Sequence, residues 1–259
     1  MNNLGKLSYY LGIEVKQEKD FIELRRTGYA RKVLEKAGMG ECNPTKYPMA
    51  PKEHITKDEG GTLIDPMEYK SMIGGLRYLV HTHPNISYVV GIISRFIEKT
   101  TIKQKHVVIR IFKYVKGTLE YGLVYSRHCA NNMLVGYSDS DLVGQPHDKK
   151  NTGGLVFYLN NSLIISVSQK QQCVALSNYE AKFMVATAAA CQEIWLKKLL
   201  SKIKGEKVGP VLLYIDNKSA MIWQKNPVFH DRSKHIDVRY HFIRECVERM
   251  EIIIKHINS

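Results

Sequence analysis

The apolar positions of this chain fall into two patterns separated by a polar break. In the first part, Leu7–Val15 reads as a strand, and Phe21–Leu24 as its hairpin partner across the polar turn Gln17–Asp20. Tyr29–Ala37 follows as a short helix closed by Gly38 and Gly40. The stretch Asn43–Asp65, with Pro44, Pro48 and Pro51 among many charges, reads as a loop or linker. Helical spacing then recurs over Pro66–His81, from Pro84 to about Glu98, and over Ile102–Lys116, where Val108, Ile111, Phe112 and Val115 share one side. Gly117 is placed to cap the last of these, and Leu119–Tyr125 reads as a short strand.

Arg127–Asn132 is polar and marks the expected boundary between domains 1–126 and 133–259. Beyond it, Met133–Asp139, Gly154–Leu159 and Leu163–Val167 read as strands, the last two around an Asn160–Asn161 turn. Ser177–Ile203 is a long helix, Val211–Ile215 a strand and Lys218–Lys225 a short helix stopped by Pro227. Ser233–Met250 is a helix with the stripe Ile236, Tyr240, Ile243, Val247 and Met250, and Glu251–Ile257 is a last strand. The order β-β-β-α-β-α-α-β predicts a mixed sheet made by a meander and a right-handed helical crossover.

Composition adds a partner class. The formal net charge is +13 over 259 residues, which favours polyanions, nucleic acid before an anionic membrane surface. The five cysteines are scattered without a CxxC pair, which argues against a disulfide scaffold or a zinc knuckle and for a reduced, intracellular compartment. The N-terminus lacks the pattern of a signal peptide, and no segment has the length of a membrane span. His230, His235, His241 and Cys246 do not make a convincing metal site, because His235 and His241 sit about 240° apart around a helix.

The chemistry is carried by two strand ends. Asp139 closes the first strand after the boundary, and Asp216 follows the strand after the long helix. If those strands are parallel neighbours, both carboxylates share the crevice at the strand ends, the usual site position in open α/β sheets. Such a pair can contribute to a Mg²⁺ site, although two-metal phosphodiester chemistry needs more carboxylates than two. The plainer alternatives are a polar turn at Ser138–Asp141 and an N-cap at Asp216. Lys149, Lys150, Lys218, Arg232 and Lys234 flank the expected crevice and suit phosphate contacts, or a solvated surface.

The wording of several segments resembles one family. Gly136-Tyr-Ser-Asp-Ser-Asp141, Asn151-Thr-Gly-Gly-Leu-Val156, Val174-Ala-Leu-Ser177, Tyr214-Ile-Asp-Asn-Lys-Ser-Ala220 and Asn226-Pro-Val-Phe-His-Asp-Arg-Ser-Lys-His-Ile-Asp237 resemble the ribonuclease H region of copia-type retrotransposon Pol polyproteins. Leu7-Ser-Tyr-Tyr-Leu-Gly-Ile-Glu14 resembles the end of the reverse transcriptase palm in the same polyproteins. Tyr69-Lys-Ser-Met-Ile-Gly-Gly-Leu-Arg-Tyr-Leu79 and Tyr114-Val-Lys-Gly-Thr-Leu119 resemble the thumb and connection. The resemblance covers nearly the whole chain, in family order. It implies an α/β, ribonuclease H-like mixed five-stranded sheet with flanking helices, preceded by a mostly helical thumb/connection remnant.

It further implies Mg²⁺-dependent hydrolysis of RNA in RNA–DNA hybrids, with Asp139 and Asp216 as catalytic, metal-binding carboxylates and the rest of a Pol polyprotein as partner. The family's second acid belongs to a Glu-Ala-Glu triplet, which here reads Glu180-Ala181-Lys182. At about 100° per residue, Lys182 shares a face with Val185, Ala189, Leu196, Leu199 and Ile203, so that face should lie on the sheet. Glu180 points about 160° away. It is left as a displaced catalytic metal ligand, or as the capping-box partner of Ser177 or a solvent-exposed residue. The family's fourth acid is expected beyond Ser259, and its polymerase motif, absent here, upstream of Met1. A lysine at the metal position would repel Mg²⁺ and could pair with Asp139 or Asp216. Weak or absent nuclease activity is therefore expected. The competing readings are a non-catalytic nucleic-acid-binding protein and a host-recruited interaction protein.

Overall fold

The structure, a computed structural model, describes residues 5–50, 53, 55, 60–127, 133–141, 150–175, 177–216 and 234–257. The chain divides into two compact units, Met1–His128 and Cys129–Ser259.

The first unit pairs a small antiparallel sheet with a helical core. Its strands β1 (Tyr9–Tyr10), β2 (Ile13–Gln17), β3 (Phe21–Arg25) and β4 (Leu123–Ser126) lie in that order. The strand expected over Leu7–Val15 is in fact a hairpin. Leu11 (φ 45°) and Gly12 (φ 74°) turn the chain so that Tyr10 pairs with Ile13. Positive φ at both central positions is the two-residue hairpin geometry that glycine makes cheap. Tyr78 holds this turn by donating its hydroxyl to the Leu11 carbonyl.

The helices are α1 (Thr27–Lys36), α2 (Pro66–Leu79), α3 (Ser87–Ile93) and α4 (Ile102–Gly117). Ala30, Leu34, Tyr69, Ile73, Leu76, Ile93, Ile111 and Phe112 are buried together between them. The helix expected from Pro84 to Glu98 breaks into a 3₁₀ turn, α3 and a second 3₁₀ turn at Ser94–Phe96. Ser94 donates its hydroxyl to the Val90 carbonyl at 2.6 Å, a local bond that competes with the helical ladder. At the start of α4, Thr101 and Gln104 form a reciprocal capping box, and the Thr101 N–H donates to Gln104 Oε1 at 2.9 Å. Thr101→Ala is expected to cost about 1 kcal/mol, seen as a lower urea midpoint at unchanged slope.

The second unit holds the mixed sheet expected from the pattern. Strands β5 (Leu134–Asp141), β6 (Thr152–Leu159), β7 (Ser162–Lys170), β8 (Val211–Ile215) and β9 (Ile252–His256) lie in the order β7-β6-β5-β8-β9. β5 is antiparallel to β6 and parallel to β8, and β8 is parallel to β9. Helices α5 (Asn178–Lys204) and α6 (Lys234–Glu248) pack on one another, α5 lying on the sheet and α6 beside β9. The short helix expected over Lys218–Lys225 lies outside the described residues.

The core joins Phe157, Leu213 and Ile215 of the sheet to Phe183, Ala186, Ala189 and Ala190 of α5. Glycines let this helix sit close. A Cβ on Gly153 would lie 2.5 Å from Val185, and one on Gly136 would lie 2.3 Å from Glu193.

The α5 stripe follows the expectation only in part. Val185, Ala189 and Leu196 are buried, but Leu199 is 40% and Ile203 73% exposed. At 27 residues, α5 is about 40 Å long. The eight-residue β5, on which it chiefly packs, spans only about 26 Å. The last turns of the helix therefore have no sheet to cover. On α6, Ile243 is buried, whereas Met250 falls past the helix end and is exposed.

Candidate functional site

The site begins with strand register. Ser138 of β5 pairs with Ile215 of β8 in parallel, so Asp139 and Asp216 emerge from neighbouring strands at the same end of the sheet. α5 starts above them. Ser177 caps it, accepting the Glu180 N–H at 3.1 Å. Gln171 donates from Nε2 to the Ala181 carbonyl at 2.8 Å, and its own N–H donates to the Asn151 carbonyl at 2.8 Å. Gln171 thus ties the first turn of α5 to the segment entering β6, a positioning residue the sequence pattern did not single out.

This arrangement aims Lys182 at the two acids. Its Nζ lies 2.8 Å from Asp216 Oδ2 and 4.0 Å from Asp139 Oδ1. The Lys182 and Asp216 side chains are 17% and 23% exposed, while Asp139 is 67% exposed and also accepts the Ser140 N–H at 2.7 Å. The closest ion pair is therefore the half-buried one, where screening by water and salt is weakest.

Glu180 is buried, not turned out to solvent. Among the described residues, no group of three His, Cys, Asp or Glu side chains gathers to hold a metal ion. Two carboxylates sharing one ammonium carry a net single negative charge, and the ammonium stands where a cation would bind. Mg²⁺ demands a near-octahedral set of oxygens around itself. Among the described residues, the donors do not make up such a set.

A second acid lies deeper on the same helix face. Glu193 follows Lys182 by eleven residues, which places it about 20° away around the helix. It is fully buried against Gly136 of β5. Burial pushes its carboxyl up to about 8, with the Gly136 backbone pulling weakly the other way. The helical arithmetic that selected Lys182 also selects Glu193.

Of the basic residues expected to flank the crevice, Lys149, Lys218 and Arg232 lie outside the described residues. Lys150 is half-buried just before β6, and Lys234 is the first residue of α6. No described helix is long and apolar enough to cross a membrane.

A mixed sheet in the order β7-β6-β5-β8-β9, with Asp139 near the end of β5, which runs on to Asp141, and Asp216 just after β8 under the start of a crossover helix, defines an α/β fold of the ribonuclease H type. Residues 1–51 match the family described as reverse transcriptase (RNA-dependent DNA polymerase). The chain is 33% identical over 255 residues to a retrovirus-related Pol polyprotein from the transposon RE1 of Arabidopsis thaliana. That match takes in 98% of this chain and 17% of the polyprotein, so the chain spans about a sixth of that relative's length. It is also 30% identical to an uncharacterized mitochondrial protein of Arabidopsis thaliana, over 75% of this chain and 80% of that one. Among solved structures, a foamy viral protease–reverse transcriptase in complex with double-stranded DNA is similar in fold. It has a TM-score of 0.53 and 13% identity, over 96% of this chain and 37% of that one. The chain belongs to the family of retrovirus-related Pol polyproteins of copia-type transposons, in their reverse transcriptase and ribonuclease H portion.

Proposed function

We propose that the second unit is a nucleic-acid-binding module of ribonuclease H ancestry. It would engage RNA–DNA hybrids in a retrotransposon reverse transcriptase, with Mg²⁺-dependent hydrolysis weak or absent. The reading rests on one observation above the others: Lys182 Nζ sits 2.8 Å from Asp216 and 4.0 Å from Asp139. Asp139 and Asp216 are the remaining members of the catalytic set in this reading, and Glu180 acts at the helix start rather than on a metal. The first unit is read as the palm-end hairpin and thumb/connection of the same enzyme.

Binding would be electrostatic. The net charge of +13 supports attraction to a polyanion, and Lys150 and Lys234 would add contacts to backbone phosphate rather than to bases. Each phosphate neutralised releases condensed counterions, so affinity should fall steeply with salt.

The test is a hybrid titration with the full chain. Binding of an RNA–DNA hybrid should weaken by an order of magnitude or more between 50 and 200 mM salt if even a few phosphates are contacted, by roughly 0.9 log unit per log of salt for each. No cleavage should follow when Mg²⁺ is added. Mg²⁺-dependent cleavage that Asp139→Asn abolishes would overturn the non-catalytic reading, and absence of hybrid binding would overturn the nucleic-acid one.

A further inference from the structure

The far end of α5 carries a surface that the carboxylate site does not use. Trp195, Leu199 and Ile203 recur every four residues along the helix and are 55%, 40% and 73% exposed. At about 100° per residue they drift by only about 40° per step, so they form one continuous apolar stripe. Lys198 and Lys202 run along one side of it. A groove of about 610 Å³ is lined by Trp195 and Leu199 of the stripe, by Lys198 and Lys202, and by Val208 and Glu251 across from them. From Trp195 to Lys207 the chain has five lysines against one glutamate. Lys204 spends its charge on that glutamate, at 3.3 Å, and Lys197 reaches the Glu251 carbonyl at 3.4 Å.

Lys182 and Lys202 are twenty residues apart on one helix, so this surface is about 30 Å from the acids. An exposed apolar stripe edged by charge of one sign is the signature of a contact rather than of bare surface.

We propose that the Trp195–Leu199–Ile203 stripe docks an acidic amphipathic helix of a partner protein, its apolar seam on the stripe and its glutamates on Lys198, Lys202 and Lys207. Helices recognise such stripes through anchors at three- and four-residue spacing, with flanking charges setting partner choice. A second copy of this chain does not suit the surface. A two-fold contact is self-complementary and would set Lys198 and Lys202 against their own copies. A nucleic acid would pair with the lysines and stack on Trp195, but it offers nothing for Leu199 and Ile203, since its affinity comes from phosphate and ring faces.

The test uses the full chain carrying Trp223→Phe, so that Trp195 alone reports by fluorescence. The probes are a synthetic amphipathic helix with a leucine seam and flanking glutamates, its lysine-flanked counterpart, an RNA–DNA hybrid and phosphatidylserine vesicles. The glutamate-flanked helix should shift Trp195 emission saturably. Leu199→Ser with Ile203→Ser should weaken it at least tenfold, with the circular dichroism spectrum unchanged. Lys198→Glu with Lys202→Glu should weaken it by the same factor and confer binding of the lysine-flanked helix. Failure of the glutamate-flanked helix to bind overturns the proposal, as does binding that survives charge reversal. If the hybrid or the vesicles alone depend on these residues, the surface belongs to a nucleic acid or a membrane and the proposal is again overturned. Hybrid binding that is untouched by these substitutions leaves the reading of the carboxylate end to be judged separately.

Discussion

Lys182→Glu is expected to turn a chain indifferent to Mg²⁺ into one that Mg²⁺ stabilises. Lys182 reaches Asp216 at 2.8 Å and Asp139 at 4.0 Å, so a carboxylate in its place joins two others at the ends of β5 and β8. Without a divalent ion the variant loses a half-buried ion pair and gains like-charge repulsion, at a cost of about 1–3 kcal/mol. With one, three acids can share it. At a concentration a hundred times the dissociation constant, binding restores about 2.7 kcal/mol, a rise in melting temperature on the order of 10 °C for a unit of this size. Thermal melts of both proteins with and without 10 mM Mg²⁺ are the measurement. An identical response of the two would mean that Lys182 does not control the affinity of the site for cations.

Glu193→Gln is expected to remove a pH dependence that the parent chain shows. The Glu193 carboxyl, fully buried beside Gly136, is pushed up to about 8 in the folded chain from an ordinary value of 4.5. Between those values the unfolded chain gives up this proton and the folded chain keeps it. Stability therefore falls as pH rises through that window, by about 1.4 kcal/mol per pH unit, and levels off above pH 8 where both states are ionised. The carboxamide has no proton to lose. The variant should match the parent near pH 4.5 and exceed it by a few kcal/mol at pH 7. Urea melts at pH 5, 6, 7 and 8 measure this, and equal slopes in the two proteins would show that Glu193 is ionised in the fold.

Both predictions depend on one face of α5, and that face was partly legible without coordinates. Counting by helical turns put Lys182 toward the sheet, since the residues after it on that side are apolar. Val185 and Ala189 are buried as that count requires. The same count, carried to Glu193, would have flagged a buried acid, but an isolated glutamate in a long helix reads as solvated when nothing shows its surroundings. Gly136 supplies them: with no Cβ on β5, there is room for a carboxyl where any other residue would collide.

Local periodicity, turn chemistry and charge are written in the order of residues, and these determined a great deal by themselves. The strand-and-helix order of the described part of the second unit and the lysine standing where the family has an acid follow from short-range pattern and wording, whereas the parallel pairing that brings Asp139 to Asp216 was only a condition until the sheet was seen. What depended on contacts distant in sequence had to wait for the tertiary structure. The hairpin inside Leu7–Val15 depends on a turn held by Tyr78, sixty-seven residues away. The exposure of Leu199 and Ile203 depends on where the sheet beneath α5 ends, a comparison of two lengths that no single segment contains. The pairing of Lys182 with Asp216 rather than chiefly with Asp139 was left open for the same reason. An ion pair is chosen by distance and burial, and both are properties of the packed chain.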